Sequence, residues 1–154
     1  MIAVLQRVKR SSVRIEGEQV GECGHGLMIL LGVADGDTKT DADLLAAKIS
    51  KLRIFCDEND KMNLSVKDID GEVLVVSNFT LLANYAKGNR PDYMNAAAPD
   101  EANALYEYFA DLMEKEVKHV GRGVFGGDME VSILNDGPVT IVMDSKVLTA
   151  RLKK

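Results

Sequence analysis

The chain has 154 residues, of which 46% are hydrophobic and 28% charged, and its formal net charge is -5. This length predicts a single domain spanning residues 1–154 that buries about two-thirds of its unfolded surface. The composition is ordinary for a globular protein, without a low-complexity linker or internal repeat. The acidic balance argues against a protein that coats nucleic acid nonspecifically, and we expect no DNA partner.

Neither a membrane segment nor a cysteine-based site is predicted. Met1–Val8 alternates and then turns basic, which is not the order of a signal peptide, and the longest apolar run, Leu27–Leu31, is far too short to cross a bilayer. We therefore expect a cytoplasmic protein without membrane association. Cys23 and Cys56 are isolated, so free thiols are expected in place of a disulfide or a zinc site.

Apolar patterning predicts seven strands and two helices. The strands cover roughly residues 1–8, 12–16, 18–23, 26–33, 72–77, 128–134 and 139–144. One helix follows Asp37-Thr38, and the second begins at Pro99, a favoured first-turn position. Their buried faces are Ala42, Leu45, Ala46, Ile49 and Leu52 in the first, and Ala102, Leu105, Tyr106, Phe109 and Met113 in the second. Because many strands and few helices do not fit a βαβ series, the sequence predicts an α+β fold: a curled, barrel-like, mostly antiparallel sheet with two main flanking helices.

Charge is unevenly distributed along the chain. Residues 1–14 contain four cations and no acid, and the tail from Lys146 is also free of acids. If the termini lie near each other, they form a basic face suited to transient contact with a polyanion. A scatter of solvated cations explains the charges equally well.

The irregular segment 82–98, which contains Lys87 and Arg90, is a long loop of the kind that usually carries function.

Two segments supply backbone polar groups where a strand would otherwise continue. Asp136-Gly137 lies between two apolar strands, which predicts a hairpin turn. Gly137 also lacks a Cβ, and the Gly137-Pro138 bond is the kind that readily becomes cis, so the same residues could present carbonyl oxygens to another molecule. The two interpretations are compatible.

The second segment is Ser77-Asn78-Phe79-Thr80, at the end of an apolar strand. Its hydroxyls, amide and backbone N–H groups could form an oxyanion hole for acyl transfer, or could simply satisfy the polar groups of the strand end.

His25 and His119 lie in no catalytic or metal-binding pattern, and hydrolase, nucleotide-phosphate and dinucleotide motifs are missing. We therefore expect structural or surface histidines and neither a metal nor a cofactor.

Several segments together resemble the D-aminoacyl-tRNA deacylase family, from Met1 to Ser145. They are Ala3–Val8, Gly32–Asp37, Leu52–Phe55, Lys61–Ser65, Ser77–Leu81, Lys87–Pro91, Phe125–Met129 and Asn135–Thr140. Each is weak alone, but their order and spacing are specific. One position departs from the family pattern Ser-Gln-Phe-Thr, since Asn78 stands where the family has glutamine.

The resemblance implies the fold of that family and a homodimer with shared active sites. Gly137-Pro138 would be cis and reach across a twofold axis, so that its carbonyl oxygens exclude an L side chain from the partner's site. Ser77, Asn78, Phe79 and Thr80 would hold the ester, with backbone donors from the region of Phe79 and Thr80. Arg7 would brace the Gly-Pro segment, and Met129 would line the pocket.

The implied reaction is hydrolysis of the ester bond of D-aminoacyl-tRNA, and of glycyl-tRNA mischarged on tRNA(Ala), releasing the amino acid and tRNA. The substrate's 2′-hydroxyl would assist the attack of water, with Lys87 and Arg90 as candidate tRNA contacts. One alternative is a non-catalytic module that binds the aminoacyl group. Another keeps the reaction but gives Thr80 a covalent acyl intermediate.

Overall fold

The computed structural model describes residues 1–152, which form eight strands, three α-helices and a 3-10 helix. The strands are β1 (Ile2–Ile15), β2 (Glu18–Cys23), β3 (Gly26–Gly32), β4 (Phe55–Cys56), β5 (Met62–Leu64), β6 (Glu72–Ser77), β7 (Val120–Arg122) and β8 (Glu130–Asp144). The helices are α1 (Lys39–Ile49), α2 (Pro99–Glu114) and α3 (Ser145–Leu152), with the 3-10 helix at Phe79–Leu82. The last two lysines of the predicted basic tail lie outside the described residues.

Strand β1 organises the main sheet. Its first half pairs with β3, its second half pairs with β2, and its other edge pairs with β8, all in antiparallel orientation. Strands β6 and β7 then follow β3 in parallel orientation. The separate strands predicted at 1–8 and 12–16 are one continuous strand, because residues 9–11 remain extended against β8.

The two ends of this sheet meet through close backbone contact between β2 and β7. A Cβ at Gly21 would lie 2.2 Å from the carbonyl oxygen of Arg122, and one at Gly121 would lie 2.2 Å from that of Glu22. Only glycine permits this approach. The imidazole Nε2 of His119 also lies 2.9 Å from the Glu22 carbonyl oxygen. The sheet is thus mixed and nearly closed into a barrel, which confirms the predicted α+β class.

The two predicted helices are present, and each joins a pair of parallel strands. Helix α1 begins after Thr38, and α2 begins at Pro99, as predicted. Parallel neighbours need a crossover connection, which α1 supplies between β3 and β6 and α2 between β6 and β7. These βαβ crossovers were not predicted, because the number of strands and helices argued against a βαβ series, and β4, β5 and β7 were not predicted; the β4–β5 hairpin lies within the first crossover. The short helix α3 was not predicted either.

Strand β8 corrects the hairpin prediction. Asn135 pairs with Val8 and Thr140 pairs with Gln6, so both halves of β8 run in the same direction along β1. A hairpin would reverse the chain, and this segment does not. Residues 136–139 instead leave the ladder opposite Arg7 as an excursion within one strand.

The sheet is buried on both faces in its centre. Alternate residues of β3 and β6 contribute to an outer core beneath α1 and α2 and to an inner core within the curl. The outer core contains most of the predicted helix faces, although Leu105 is only partly buried and Leu52 lies beyond the end of α1. The inner core comprises Val8, Val13, Cys23, Met28, Leu74 and Val76. Within residues 1–152, no helix is both long and apolar enough to cross a membrane.

Candidate functional site

A cavity of about 740 Å³ opens where β6 ends and the inner core gives way to loops. Its walls are mostly apolar, with a few polar groups from the end of β6, which is the usual composition of a small-molecule site. The lining residues are Leu30, Val33, Val76, Ser77, Asn78, Phe79, Tyr93, Ala96, Ala97, Pro99, Ala102, Phe125, Gly126, Gly127, Asp128, Met129 and Val131.

Ser77, Asn78 and Phe79 form part of the cavity wall, and this segment is anchored to β3. Ser77 is the last residue of β6 and pairs with Leu31, whose carbonyl oxygen accepts a hydrogen bond of 2.8 Å from the Asn78 N–H. The chain then turns into the 3-10 helix. Of the four residues predicted to hold the ester, Ser77, Asn78 and Phe79 line the cavity, and the exposed Thr80 directly follows them.

Asn78 is the N-cap of this 3-10 helix. Its side-chain Oδ1 accepts a 3.2 Å hydrogen bond from the Thr80 N–H and another from the Thr80 hydroxyl. The Thr80 N–H is therefore already hydrogen-bonded. Phe79 is the first residue of the helix, and the N–H groups at the start of a helix have no carbonyl partner within it. Asparagine reaches back to the first turn more readily than the longer glutamine, which gives a structural role to the departure at Asn78.

Two partly exposed aromatic rings line the cavity. Phe79 is 56% exposed, and its ring meets that of Tyr93 edge to face, with centroids 5.0 Å apart. Tyr93 was not predicted as a site residue, since nothing in the irregular segment 82–98 marks it. Tertiary contact with Phe79 brings it to the site.

Met129, which the resemblance assigns to the pocket, is among the residues that line the cavity. It lies close to Gly123, where an added Cβ would be 2.7 Å from the Met129 sulfur. Phe125 also lines the cavity, with its ring centroid 6.4 Å from that of the buried Tyr106. The Tyr106 hydroxyl donates to the Val75 carbonyl oxygen at 2.9 Å, and burial raises its pKa to about 12. The part of the cavity wall that Phe125 forms is therefore packed against the rigid core.

Gly137-Pro138 lies on the surface, and its peptide bond is cis. Neither residue lines the cavity of its own chain. Arg7 holds the start of this excursion, since its Nε donates to the Asp136 carbonyl oxygen at 2.8 Å and its Nη1 donates to the Ile54 carbonyl oxygen at 2.8 Å. The Arg7 guanidinium is consequently part of the scaffold and not of a free basic face.

The remaining predicted residues lie apart from the cavity. Lys87 and Arg90 are exposed in the loop that precedes α2. His25 lines a smaller cavity of about 300 Å³ beside Arg7 and Asp136, with its Nε2 4.0 Å from the Asp136 carboxylate. Cys23 is buried in the inner core, where burial, reinforced by the negative charge of Glu72, raises its thiol pKa to about 12. Neither His25 nor His119 lines the large cavity.

Comparison with known proteins agrees with this architecture. The family model described as D-Tyr-tRNA(Tyr) deacylase matches residues 4–144. A "D-aminoacyl-tRNA deacylase" of Flavobacterium johnsoniae is 54% identical over 95% of this chain and 98% of its own length. A protein of the same name from Caldicellulosiruptor saccharolyticus is 57% identical over 95% of this chain and 98% of its own.

Two solved structures share the fold. One, titled "c-Myc DNA Unwinding Element Binding Protein", has a TM-score of 0.88 and 41% identity, covering 94% of this chain and 98% of that one. The other, titled "Structural Analysis of a probable eukaryotic D-amino acid tRNA deacylase", has a TM-score of 0.78 and covers 92% of this chain and 97% of that one. At 17% identity, the second supports the fold alone.

The fold, the strand-end cavity and these relatives place the chain among the hydrolases that act on an aminoacyl ester bond. It belongs to the D-Tyr-tRNA(Tyr) deacylase family. The resemblance identified from the sequence is thereby confirmed.

Proposed function

We propose that this protein hydrolyses the ester bond between a D-amino acid and the terminal ribose of tRNA, releasing the free amino acid and tRNA. The observation that carries the proposal is the cavity of about 740 Å³ whose wall is formed by Ser77, Asn78 and Phe79 at the end of β6. It offers apolar surface for an amino-acid side chain and polar groups on one side for the ester.

The proposed mechanism relies on positioning and on stabilisation of charge. An aminoacyl ester is already activated, so holding it beside a backbone donor lowers the barrier without a strong nucleophile; one oxyanion donor is worth about 3–4 kcal/mol. We assign this donor to the N–H of Phe79. The 2′-hydroxyl of the substrate assists the attack of water on the carbonyl carbon.

Thr80 has a positioning role in this mechanism. Its hydroxyl donates to the Asn78 side-chain oxygen, and an amide oxygen is too weak a base to activate a nucleophile. This contact favours water over Thr80 as the attacking group. It therefore argues against the alternative in which Thr80 carries a covalent acyl intermediate.

Stereochemical selection belongs to Gly137-Pro138 in a homodimer. The pair is exposed, is held from behind by Arg7, and is absent from the walls of its own chain's cavity. Gly137-Pro138 would therefore act in the cavity of the partner subunit. There its carbonyl oxygens exclude an L side chain. Glycyl-tRNA mischarged on tRNA(Ala) lacks that side chain and remains a substrate.

Several further assignments accompany the proposal. Lys87 and Arg90 contact the phosphates of tRNA, because both are exposed on the loop that joins the cavity wall to α2. The free thiols of Cys23 and Cys56 fit a reducing compartment, which supports a cytoplasmic location. We propose no DNA partner, since a net charge of -5 disfavours nonspecific binding to a polyanion.

Parallel incubation with D-Tyr-tRNA and L-Tyr-tRNA tests the function. We expect deacylation of the D-ester only, and a mass from light scattering of about twice the 16.8 kDa of one chain. Hydrolysis of both esters would indicate an unselective esterase. Binding of the D-ester without turnover would favour the non-catalytic aminoacyl-binding module, and an active monomer would contradict selection across subunits.

A further inference from the structure

The loop that contains Tyr93, a residue of the cavity wall, is closed on itself by hydrogen bonds. Residues 84–94, which we name the rim loop, are closed at their base by an antiparallel pair between Asn84 and Asp92. The Asn84 N–H donates to the Asp92 carbonyl oxygen at 2.8 Å, and the Asp92 N–H returns a hydrogen bond of 3.0 Å. The Asn84 side-chain amide also donates to the Asp92 carboxylate at 3.0 Å. The rim loop is therefore a defined projection.

The rim loop exposes an aromatic ring that serves no packing purpose within the chain. Tyr85 is 81% exposed, and with Met94, at 85%, it is one of the two most exposed large hydrophobic side chains within residues 1–152. Lys87 and Arg90 are exposed on the same loop, while the loop's one acid, Asp92, is bound by Asn84. An exposed aromatic ring beside two free cations is the composition of a platform for single-stranded nucleic acid.

The base of the rim loop contacts the part of the cavity wall formed by Ser77, Asn78 and Phe79. Tyr93 directly follows Asp92, lines the cavity, and packs its ring edge to face against Phe79. The rim loop therefore borders the cavity at Tyr93, beside the residue that we assign to the ester. The nucleotides that adjoin the ester would meet Tyr85, Lys87 and Arg90.

Resting on the proposed function, we propose that Tyr85 stacks on an unpaired base of the 3′-terminal single strand of the tRNA, upstream of the esterified nucleotide. Lys87 and Arg90 contact the neighbouring phosphates and hold the strand on the ring. A second copy of this chain is a poorer occupant. A twofold contact through the rim loop would bring the Lys87 and Arg90 cations of both copies together.

Steady-state kinetics with two substrates test this assignment. Tyr85→Ala should raise KM for D-Tyr-tRNA roughly five- to a hundredfold, the usual range for loss of one stacked base, with kcat unchanged. Tyr85→Phe, which keeps the ring, should remain close to wild type. Asn89→Ala, a neutral change in the same loop, is the matched control. D-tyrosyl-adenosine carries no upstream base, so its KM should be the same for all four proteins.

Three outcomes would overturn the assignment: an unchanged KM for D-Tyr-tRNA in Tyr85→Ala, an equal rise in KM with D-tyrosyl-adenosine, or a changed mass in light scattering. The second would mean that Tyr85 shapes the cavity, and the third that it contacts another copy. If the wild type fails to hydrolyse D-Tyr-tRNA, the proposed function itself fails. Anisotropy of a labelled, uncharged 3′-terminal RNA oligonucleotide then still tests Tyr85, since Tyr85→Ala should weaken binding by a similar factor.

Discussion

The side-chain amide of Asn135 donates to the carbonyl oxygen of Val139 at 3.2 Å and so joins the two ends of the Gly137-Pro138 excursion. The same amide donates to the Arg7 carbonyl oxygen of β1 at 2.9 Å. The Asn135 side chain therefore connects the residues at which the excursion begins and ends, and the Arg7 guanidinium binds the Asp136 carbonyl oxygen. We call this set of contacts the neck of the excursion. These contacts, together with the packing of Val139 against the outer core, hold the exposed Gly137 and Pro138 in a defined direction.

Asn135→Ala should therefore loosen the excursion. It leaves two partly buried carbonyl oxygens without their donor, and we expect the free energy of unfolding to fall by about 1–2 kcal/mol. The ratio of D- to L-Tyr-tRNA turnover should fall as well. Gln6→Ala removes the 3.2 Å side-chain bond to Thr140 between the same two strands, outside the neck, and serves as the control. A ratio unchanged in Asn135→Ala would show that the neck does not position the selecting carbonyls.

Gly137→Ala should depress turnover of every substrate. A Cβ at Gly137 would lie 2.0 Å from the Val139 backbone nitrogen, so the excursion must change shape to accept it. We expect the initial rates with D-Tyr-tRNA and glycyl-tRNA to fall together. Ser132→Ala, at an exposed position of the same strand, should keep wild-type rates. Normal rates in Gly137→Ala would show that this excursion is not part of the active site.

Replacement of Asn78 tests its role as a helix cap. Asn78→Ala removes the acceptor of the Thr80 N–H, which should lower stability by about 1 kcal/mol and Tm by about 2–4 °C. Asn78→Asp keeps a short acceptor and should retain most of this stability. Asn78→Gln restores the family residue but should resemble Ala in a thermal melt. A Gln variant as stable as wild type would show that the cap contributes little.

Thr80→Ala distinguishes positioning from covalent catalysis. If Thr80 only positions the ester, the variant should keep substantial deacylation, and no acyl-enzyme should be trapped in the wild type. A substrate with a 2′-deoxy terminal ribose should lose far more activity than this variant. Thr80→Ser keeps the hydroxyl and is the matched control. Complete loss in Thr80→Ala, with an ester trapped on Thr80 in the wild type, would establish covalent catalysis.

Acid should destabilise the fold partly through Asp41. Burial acts to raise the pKa of this carboxyl, but hydrogen bonds from Thr38 and Ser145 and the charge of the N-terminal amino group outweigh it and lower the pKa from its ordinary value of 3.8. A lowered folded-state pKa contributes stability that is present above the unfolded value and lost as pH falls through the folded value. Denaturant unfolding should show declining stability below that ordinary value.

Asp41→Asn provides the comparison for that titration. Its stability should depend less steeply on pH in the acid range. Some decline should remain, because hydrogen bonds from Asn63 to Asp57 and from the Ser65 backbone to Asp68 lower those two pKa values as well. Identical slopes for wild type and Asp41→Asn would show that Asp41 does not contribute.

Local sequence was sufficient wherever neighbouring residues supply the cause. The start of α2 follows from Pro99, and that of α1 from Asp37-Thr38, since helix termini are set by a few adjacent residues. Most of the buried face of each helix followed from its apolar spacing, with Leu52 and Leu105 as the exceptions. The order of the family motifs was enough to identify the family, which the comparisons confirmed.

Pairing partners were beyond local sequence. Asp136-Gly137 between two apolar runs has the pattern of a hairpin, yet both runs pair with β1 in the same direction, so the turn is an excursion within β8. The function of Arg7 as a clamp depends on Ile54 and Asp136, far away in sequence. Tyr93 lines the cavity through tertiary structure, since the Asn84–Asp92 bridge fixes its loop and its ring packs against Phe79.

The sequence by itself determined the residue types of the site, the helices and the family, because these depend on short-range pattern and motif order. Tertiary structure decided that Ser77, Asn78 and Phe79 share one cavity with Met129, and that Gly137-Pro138 projects outward beyond it. The physical reason is sheet closure. The close approach of Gly21 and Gly121 curls β2 onto β7, and no local pattern specifies which strands will meet when a sheet closes on itself.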